Sequence, residues 1–130
     1  MISKVNKRTG IDCRYRFNLK ESDLFSSLES KLNLLRLFQE ILNNLLKYSE
    51  CTVLDIGFMK YPNAIKIILK HNGLPFGDAD AVEMRRLGKG VGLDSIYKRL
   101  FLLNGLISYT SVPNGSEVLI ELPLPNEEKN

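Results

Sequence analysis

Apolar and polar residues alternate from Ile11 to Phe17, with Ile11, Cys13, Tyr15 and Phe17 on one side and Asp12, Arg14 and Arg16 on the other. That period of two predicts a half-buried strand. A polar link over 18–23 follows, in which Ser22 or Asp23 offers a helix cap. The period then lengthens. Leu28, Leu32, Leu35, Phe38, Leu42 and Leu45 recur at helical spacing and predict one long helix over 24–48, or two with a break near Ser30. Alternation returns over 52–59 (Leu54, Ile56, Phe58) and over 64–71 (Ile65, Ile67, Leu69). Between these runs Tyr61-Pro62-Asn63 reads as a turn, so the pair reads as a hairpin.

Residues 72–88 carry glycines, a proline and mixed charge, and predict irregular structure. A helix over 92–104 follows, with Gly105 placed as its left-handed C-terminal residue. A last hairpin runs through 106–112 and 117–122 around Pro113-Asn114-Gly115, with Val118, Ile120 and Leu122 inward. Helices grouped between antiparallel hairpins predict an α+β class, a mostly antiparallel sheet with helices on one face.

The chain has 130 residues and a net charge of +3. That length supports one domain with a real core. The charge is too mild and too scattered to make nucleic acid the default partner. No apolar stretch is long enough to insert in a membrane, and no signal peptide is visible. Two cysteines, Cys13 and Cys51, make neither a disulfide framework nor a zinc site, which fits a reducing cytoplasm. Cys13 reads as a small buried thiol within its strand.

Candidate chemistry sits in two places. Gly88-Lys89-Gly90-Val91-Gly92-Leu93 opens directly into a helix. Glycines let backbone approach a ligand, and a helix start offers free N–H groups and the positive dipole end, which together make a phosphate cradle. Ordinary helices also begin in such turns, so the pattern alone is weak. The second place is the long helix. Glu40, Asn44 and Lys47 lie at i, i+4 and i+7 and share a face apart from the leucine stripe. A carboxylate and an amide one turn apart suit hydrated magnesium, and the lysine suits phosphate oxygens. A solvated helix flank explains the same three residues.

Order and spacing together carry more. Gln39, Glu40, Asn44 and Lys47 follow the pattern Gln-Glu-x-x-x-Asn-x-x-Lys-His, with Tyr48 at the histidine position. Gly88, Gly90, Gly92, Leu93, Ile96, Arg99, Leu103 and Gly105 follow Gly-x-Gly-x-Gly-Leu-x-x-Ile-x-x-Arg-x-x-x-Leu-x-Gly. Ser116 stands where a threonine is usual before the last strand. From about Ile11 to Pro123 the chain resembles the ATP-binding catalytic domain of bacterial sensor histidine kinases, in the superfamily that also holds gyrase, the heat-shock chaperone and MutL.

The resemblance implies a Bergerat-type two-layer α/β sandwich over 11–125, a linker-helix stub over 1–10 and a disordered tail over 126–130. It implies ATP and Mg2+ as cofactors, with a short lid between Phe76 and Gly88. Glu40 would be the catalytic carboxylate and, with Asn44, would hold the metal. Lys47, His71, Gly73, Gly88, Lys89, Gly90, Val91, Gly92, Leu93 and Ser116 would bind the nucleotide. The partners implied are a histidine-bearing dimerisation domain and, through it, a response regulator. The parent is free to be membrane-anchored elsewhere.

One motif departs. The family's Asp-x-Gly-x-Gly reads here His71-Asn72-Gly73-Leu74-Pro75, so His71 replaces the adenine-reading aspartate and Pro75 the second glycine. A neutral imidazole accepts one hydrogen bond through its bare nitrogen. Losing the charged acceptor costs roughly 1.5–3 kcal/mol, or about 10- to 150-fold in affinity. Pro75 stiffens the loop and removes a donor. Three readings follow: a degenerate pocket, an adenine pocket read by His71 or a water, and a changed base preference in which the imidazole N–H donates to a guanine carbonyl. With His71 as the sole histidine, the chain supplies no separate phosphoacceptor. Function therefore divides between the catalytic domain of a two-component histidine kinase, a non-catalytic pseudo-kinase module, and a serine kinase of the anti-sigma type.

Overall fold

The computed structural model describes residues 2–6, 10–17, 28–89 and 91–123. Six strands form one sheet: β1 (Ile2–Asn6), β2 (Ile11–Phe17), β3 (Val53–Lys60), β4 (Ala64–His71), β5 (Leu106–Val112) and β6 (Gly115–Pro123), in the order β1-β2-β3-β4-β6-β5. Only β2 and β3 pair in parallel. A parallel pair needs a long crossover, and α1 (Leu28–Tyr48) lies within it. The other pairings are antiparallel, and β3–β4 and β5–β6 are the two hairpins the alternation predicts.

Three helices complete the described fold: α1, α2 (Asp78–Arg86) and α3 (Val91–Leu102). One sheet face is buried. Leu54 and Ile56 of β3, Ile65, Ile67 and Leu69 of β4, and Val118, Ile120 and Leu122 of β6 form a continuous core with α1 and α3. The other face balances itself. Arg14, Asp55, Lys70 and Glu117 lie side by side across four strands in alternating charge, with Lys70 Nζ 3.9 Å from Glu117 Oε2. Opposite charges at paired positions stabilise a sheet modestly and leave this face needing no cover.

Several expectations change. The N-terminal stretch is not a helix stub: Ile2–Asn6 pairs antiparallel with β2, satisfying backbone groups that would otherwise lie along an open edge. The leucine stripe of α1 is displaced. Leu34, Leu37, Ile41 and Leu45 face the core, whereas Leu28, Leu32 and Leu35 are exposed. Leucines on several sides of the helix give more than one stripe at helical spacing, and packing selects among them. Positions 24–27, the caps Ser22 and Asp23, and the tail 126–130 lie outside the described residues.

Residues 78–86, expected to be irregular, form α2. The Asp80 carboxylate accepts the Gly77 N–H at 2.7 Å, Asp78 and Asp80 occupy the first turn, and Arg85 and Arg86 the last. Charges of that sign complement the dipole and stabilise a helix with little apolar surface; Ala81 alone of its residues is buried.

At the end of α3 the left-handed residue is Asn104 (φ 56), not Gly105. Asn104 N–H reaches Phe101 O at 3.2 Å and Gly105 N–H reaches Leu100 O at 2.8 Å, the paired bonds of a Schellman motif. Gly105 is needed for space, since a Cβ there would lie 2.6 Å from Leu122 Cδ2 and 2.9 Å from Leu100 Cδ2.

The register of α1 is testable by paired substitutions. Leu37→Ala removes a fully buried side chain and should cost about 2–5 kcal/mol of unfolding free energy. Leu35→Ala, at an exposed position, should stay within about 0.5 kcal/mol. Urea unfolding of both variants checks this, and the reverse ranking would refute the observed face.

Candidate functional site

The end of β4 faces a cavity of about 230 Å³. Leu45 and Tyr48 of α1, Leu74, Phe76, Met84 and Val118 give it an apolar lining. Beside it lies a wider, polar cleft lined by Glu40, Asn44, Lys47, Lys89, Gly92 and Ser95. Asn44 and Tyr48 border both spaces. The structure thus joins two compartments, one apolar and narrow, one open and basic.

Helical spacing explains the cleft wall. Glu40, Asn44 and Lys47 fall on one side of α1 as their i, i+4, i+7 positions require. Opposite stands the start of α3. Gly92 approaches Asn44 so closely that an added Cβ would sit 3.0 Å from Nδ2. Ser95 Oγ donates to Glu40 Oε1 at 2.7 Å, and Arg99 Nε lies 3.1 Å from the same oxygen in an ion pair. Glu40 Oε2 is buried with no partner among the described residues. The sequence holds Arg99 inside the glycine-helix pattern, but its pairing with Glu40 spans two elements and is invisible to spacing. Ser95 is likewise missed.

The glycine loop is placed in part. Gly88 takes a left-handed φ of 71°, and Lys89 is exposed at the cleft. Gly90 lies outside the described residues, and Val91 is described only as the first residue of α3. Leu93 is a correction: its side chain is 1% exposed in the core, so only its backbone is available to a ligand. The helix period makes the reason plain, because Leu93, Ile96, Leu100 and Leu103 are all buried together.

Around the cavity the chain is closely knit. Leu74 N–H donates to Ser49 O at 2.7 Å. A Cβ on Gly73 would lie 2.1 Å from that same carbonyl oxygen, so no other residue fits. Asn72 Oδ1 accepts the Thr52 and Val53 N–H groups, both at 2.9 Å, and fixes the start of β3. Ser116 is turned toward the chain: its Oγ accepts the Phe76 N–H at 2.5 Å and donates to Leu74 O at 3.4 Å. Phe76 meets Tyr109 edge to face, with ring centroids 5.1 Å apart.

The segment expected to be a lid is anchored by α2. Asp78 Oδ1 accepts the Tyr109 N–H at 2.8 Å, Arg85 Nε pairs with Asp94 at 2.7 Å, and the Arg85 guanidinium lies 4.6 Å over the Tyr97 ring. Sequence gave no sign of these tertiary ties.

His71 is buried, and the structure revises its expected role. Gly73 N–H donates to His71 Nδ1 at 3.0 Å. A backbone N–H only donates, so Nδ1 is the bare nitrogen and is already used. The imidazole does not offer an acceptor to the cavity. Burial also lowers its pKa and keeps the ring neutral.

Magnesium is tested by the donor set. Among the described residues no three His, Cys, Asp or Glu side chains gather as a metal site. Magnesium does not need such a cage, since it keeps waters and leans on substrate phosphates. Glu40, whose Oε2 is unpartnered, and the Asn44 amide fit that requirement.

No protein-family model matches the chain. It is 28% identical over 122 residues to the oxygen sensor histidine kinase NreB of Staphylococcus carnosus, covering 93% of this chain and 33% of that protein. The chain thus spans about a third of the length of that relative. Among solved structures, the catalytic domain of histidine kinase ThkA superposes with a TM-score of 0.73 at 16% identity, covering 92% of this chain and 84% of that one. Full-length ShkA in complex with AMPPNP superposes at 0.69 and 14% identity, covering 89% and 26%. The fold is that of histidine kinase catalytic domains, as the motif resemblance implies. Among the described residues no helix is long and apolar enough to cross a membrane.

A depressed histidine pKa has a fixed sign. The unfolded chain binds the proton near about pH 6.5, while folded His71 resists it. The stabilisation tied to neutral His71 is therefore complete above that pH and is lost as pH falls through the folded value. An NMR titration of the His71 ring should show a midpoint below about 6.5, with unfolding free energy dropping over the same range. A midpoint above the ordinary value would contradict the Gly73 bond.

Proposed function

We propose that this chain is the ATP-binding catalytic domain of a two-component sensor histidine kinase, which passes the γ-phosphate of Mg-ATP to a histidine on a separate dimerisation domain. The observation that carries this is the joined pair of compartments. An apolar slot opens beside a cleft holding Lys47, Lys89, Asn44 and Glu40 at the start of α3. A nucleoside triphosphate has the matching shape, a flat base and an anionic tail. The kinase relatives support the reading, as does AMPPNP in the complex of ShkA.

In this reading α3 directs its N-terminal N–H groups and dipole toward the phosphates. Lys47 and Lys89 add positive charge. Magnesium, when bound, neutralises phosphate charge, with Asn44 and Glu40 as the residues that would hold it. Phosphoryl transfer then depends on positioning and electrostatics, which preorganised donors supply without rearrangement. Ser95 and Arg99 keep the Glu40 carboxylate in place. The acceptor histidine and the downstream response regulator belong to the proposal as partners, and a cytoplasmic location goes with them.

One observation favours a second reading, a docking module without chemistry. Glu40 Oε1 is already engaged by Ser95 and paired with Arg99, which leaves only the buried Oε2 of this carboxylate to act as a base.

Calorimetric titration of ATP with and without magnesium tests the site. Binding should be tighter with the metal, and Asn44→Ala should abolish that difference. An undiminished magnesium effect in the variant would remove Asn44 from the metal site. Transfer of labelled γ-phosphate to a supplied histidine-bearing helical domain separates kinase from module: transfer is expected, and binding without transfer would favour the module.

A further inference from the structure

Lys89 reaches the polar cleft from an exposed stretch of chain. A lysine side chain turns about several bonds, and ordering it against a phosphate costs entropy. The backbone beneath it is already ordered. Gly88 N–H donates to Arg85 O at 3.1 Å, and Lys89 N–H donates to Met84 O at 2.9 Å. With Gly88 left-handed at φ 71°, these are the paired bonds of a Schellman motif. Lys89 is thus carried on the end of α2, and where the last turn of that helix goes, Lys89 follows.

Arg85 holds that turn. Asp94 and Tyr97 stand three residues apart on one side of α3, and Arg85 meets both. Its Nε bonds Asp94 Oδ1 at 2.7 Å, and its guanidinium lies 4.6 Å over the Tyr97 ring. A planar guanidinium can pair and stack at once, which an ammonium cannot. Little else secures this end of α2. Ala81 alone of its residues is buried, and the Asp78 bond to Tyr109 N–H ties only the far end. Arg85 is 47% exposed and Asp94 60%, so the pair adds little stability. Its effect is on orientation.

Asp94 lies in the first turn of α3. That is the helix end whose N–H groups and dipole favour anions. An uncompensated carboxylate there repels a phosphate. Paired with Arg85, it is neutralised and becomes the anchor of α2.

We infer that Arg85 is a positioning residue for nucleotide binding: clamped by Asp94 and Tyr97, it fixes the last turn of α2 and so holds Lys89 in the cleft to meet the triphosphate. This rests on the nucleotide reading above and adds to it the part played by α2. Arg85 acts through Lys89 and touches no ligand itself.

Calorimetric titration of the 130-residue chain with Mg-ATP tests it, using Arg85→Ala, Lys89→Ala, the double variant and Asp94→Ala. Lys89→Ala should weaken binding roughly 10-fold, the size of one hydrogen bond to a charged group, and Arg85→Ala roughly 5-fold. In the Lys89→Ala background, Arg85→Ala should cost nothing further, because the lysine it places is gone. Asp94→Ala decides by its sign. Breaking the clamp weakens ATP binding by about the same factor as Arg85→Ala, whereas mere removal of a negative charge beside the phosphates strengthens it. Arg85→Ala should also unfold near the native urea midpoint. Unchanged affinity in Arg85→Ala, an equal loss with and without Lys89, or tighter binding in Asp94→Ala each overturns the inference and leaves the nucleotide site standing. Failure of ATP to bind the native chain overturns the nucleotide reading and the inference with it. Should Arg85→Ala fold poorly, the sign of the Asp94→Ala effect decides alone.

Discussion

The hydrogen bond from Gly73 to the His71 ring depends on a backbone with no slack. Where β4 ends, the chain passes so near the Ser49 carbonyl that only glycine fits. Leu74 then bonds to that carbonyl, and the Gly73 N–H turns to His71 Nδ1. Three parts of the molecule are fixed at once: the C-terminal end of α1, the last residue of the central strand and the floor of the cavity. Because Ser49 follows directly on α1, the helix that carries Glu40, Asn44 and Lys47 is registered against the sheet at this point. The apolar cavity and the polar cleft are thus set by the same contact.

A second contact holds the other end. Glu40 meets Ser95 and Arg99 across the gap between α1 and α3, with both Glu40 and Arg99 about a quarter exposed. Ion pairs with that much solvent access add little stability. Their value lies in position. The carboxylate cannot swing freely while Ser95 holds it, and the start of α3 is kept at a fixed distance from Asn44. Core packing through Leu37, Ile41, Leu93 and Ile96 supplies the energy that holds the two helices together, and the polar contact sets how they are aligned.

Much of this was legible in the chain. Strands β2 and β4, both hairpins and the long helix follow from periodicity, because half-buried elements carry their burial in their spacing. The α1 face that lines the cleft follows from i, i+4, i+7 geometry. What failed has physical causes. Spacing does not single out the buried stripe of α1, because leucine recurs on several sides and burial is decided by the partner surface. Helix α2 leaves no periodic signature because its stability comes from end charges and from Asp78 reaching Tyr109, not from an apolar face. Asn104 took the left-handed position expected of Gly105, since asparagine tolerates it while Gly105 is claimed by close packing on Leu122. The direction in which His71 bonds depended on a backbone N–H two residues away, which no pattern of residue types reveals.

The two compartments respond differently to sequence change, and that asymmetry gives the departures of this chain their meaning. His71 and Pro75, which break the expected motif, both line the apolar cavity, while the cleft is lined by Glu40, Asn44, Lys47, Lys89 and Gly92. A chain drifting toward loss of nucleotide binding would be under no constraint to confine its changes to one side. Here the altered position is buried and its tautomer is fixed by a backbone bond; it sits in a cavity whose hydroxyl at Ser116 is already spent. A buried polar group is costly unless it is satisfied. The Gly73 N–H meets that need at His71 Nδ1, and neither ring nitrogen is left both buried and unpartnered, so the fold accommodates a histidine where the motif expects an aspartate.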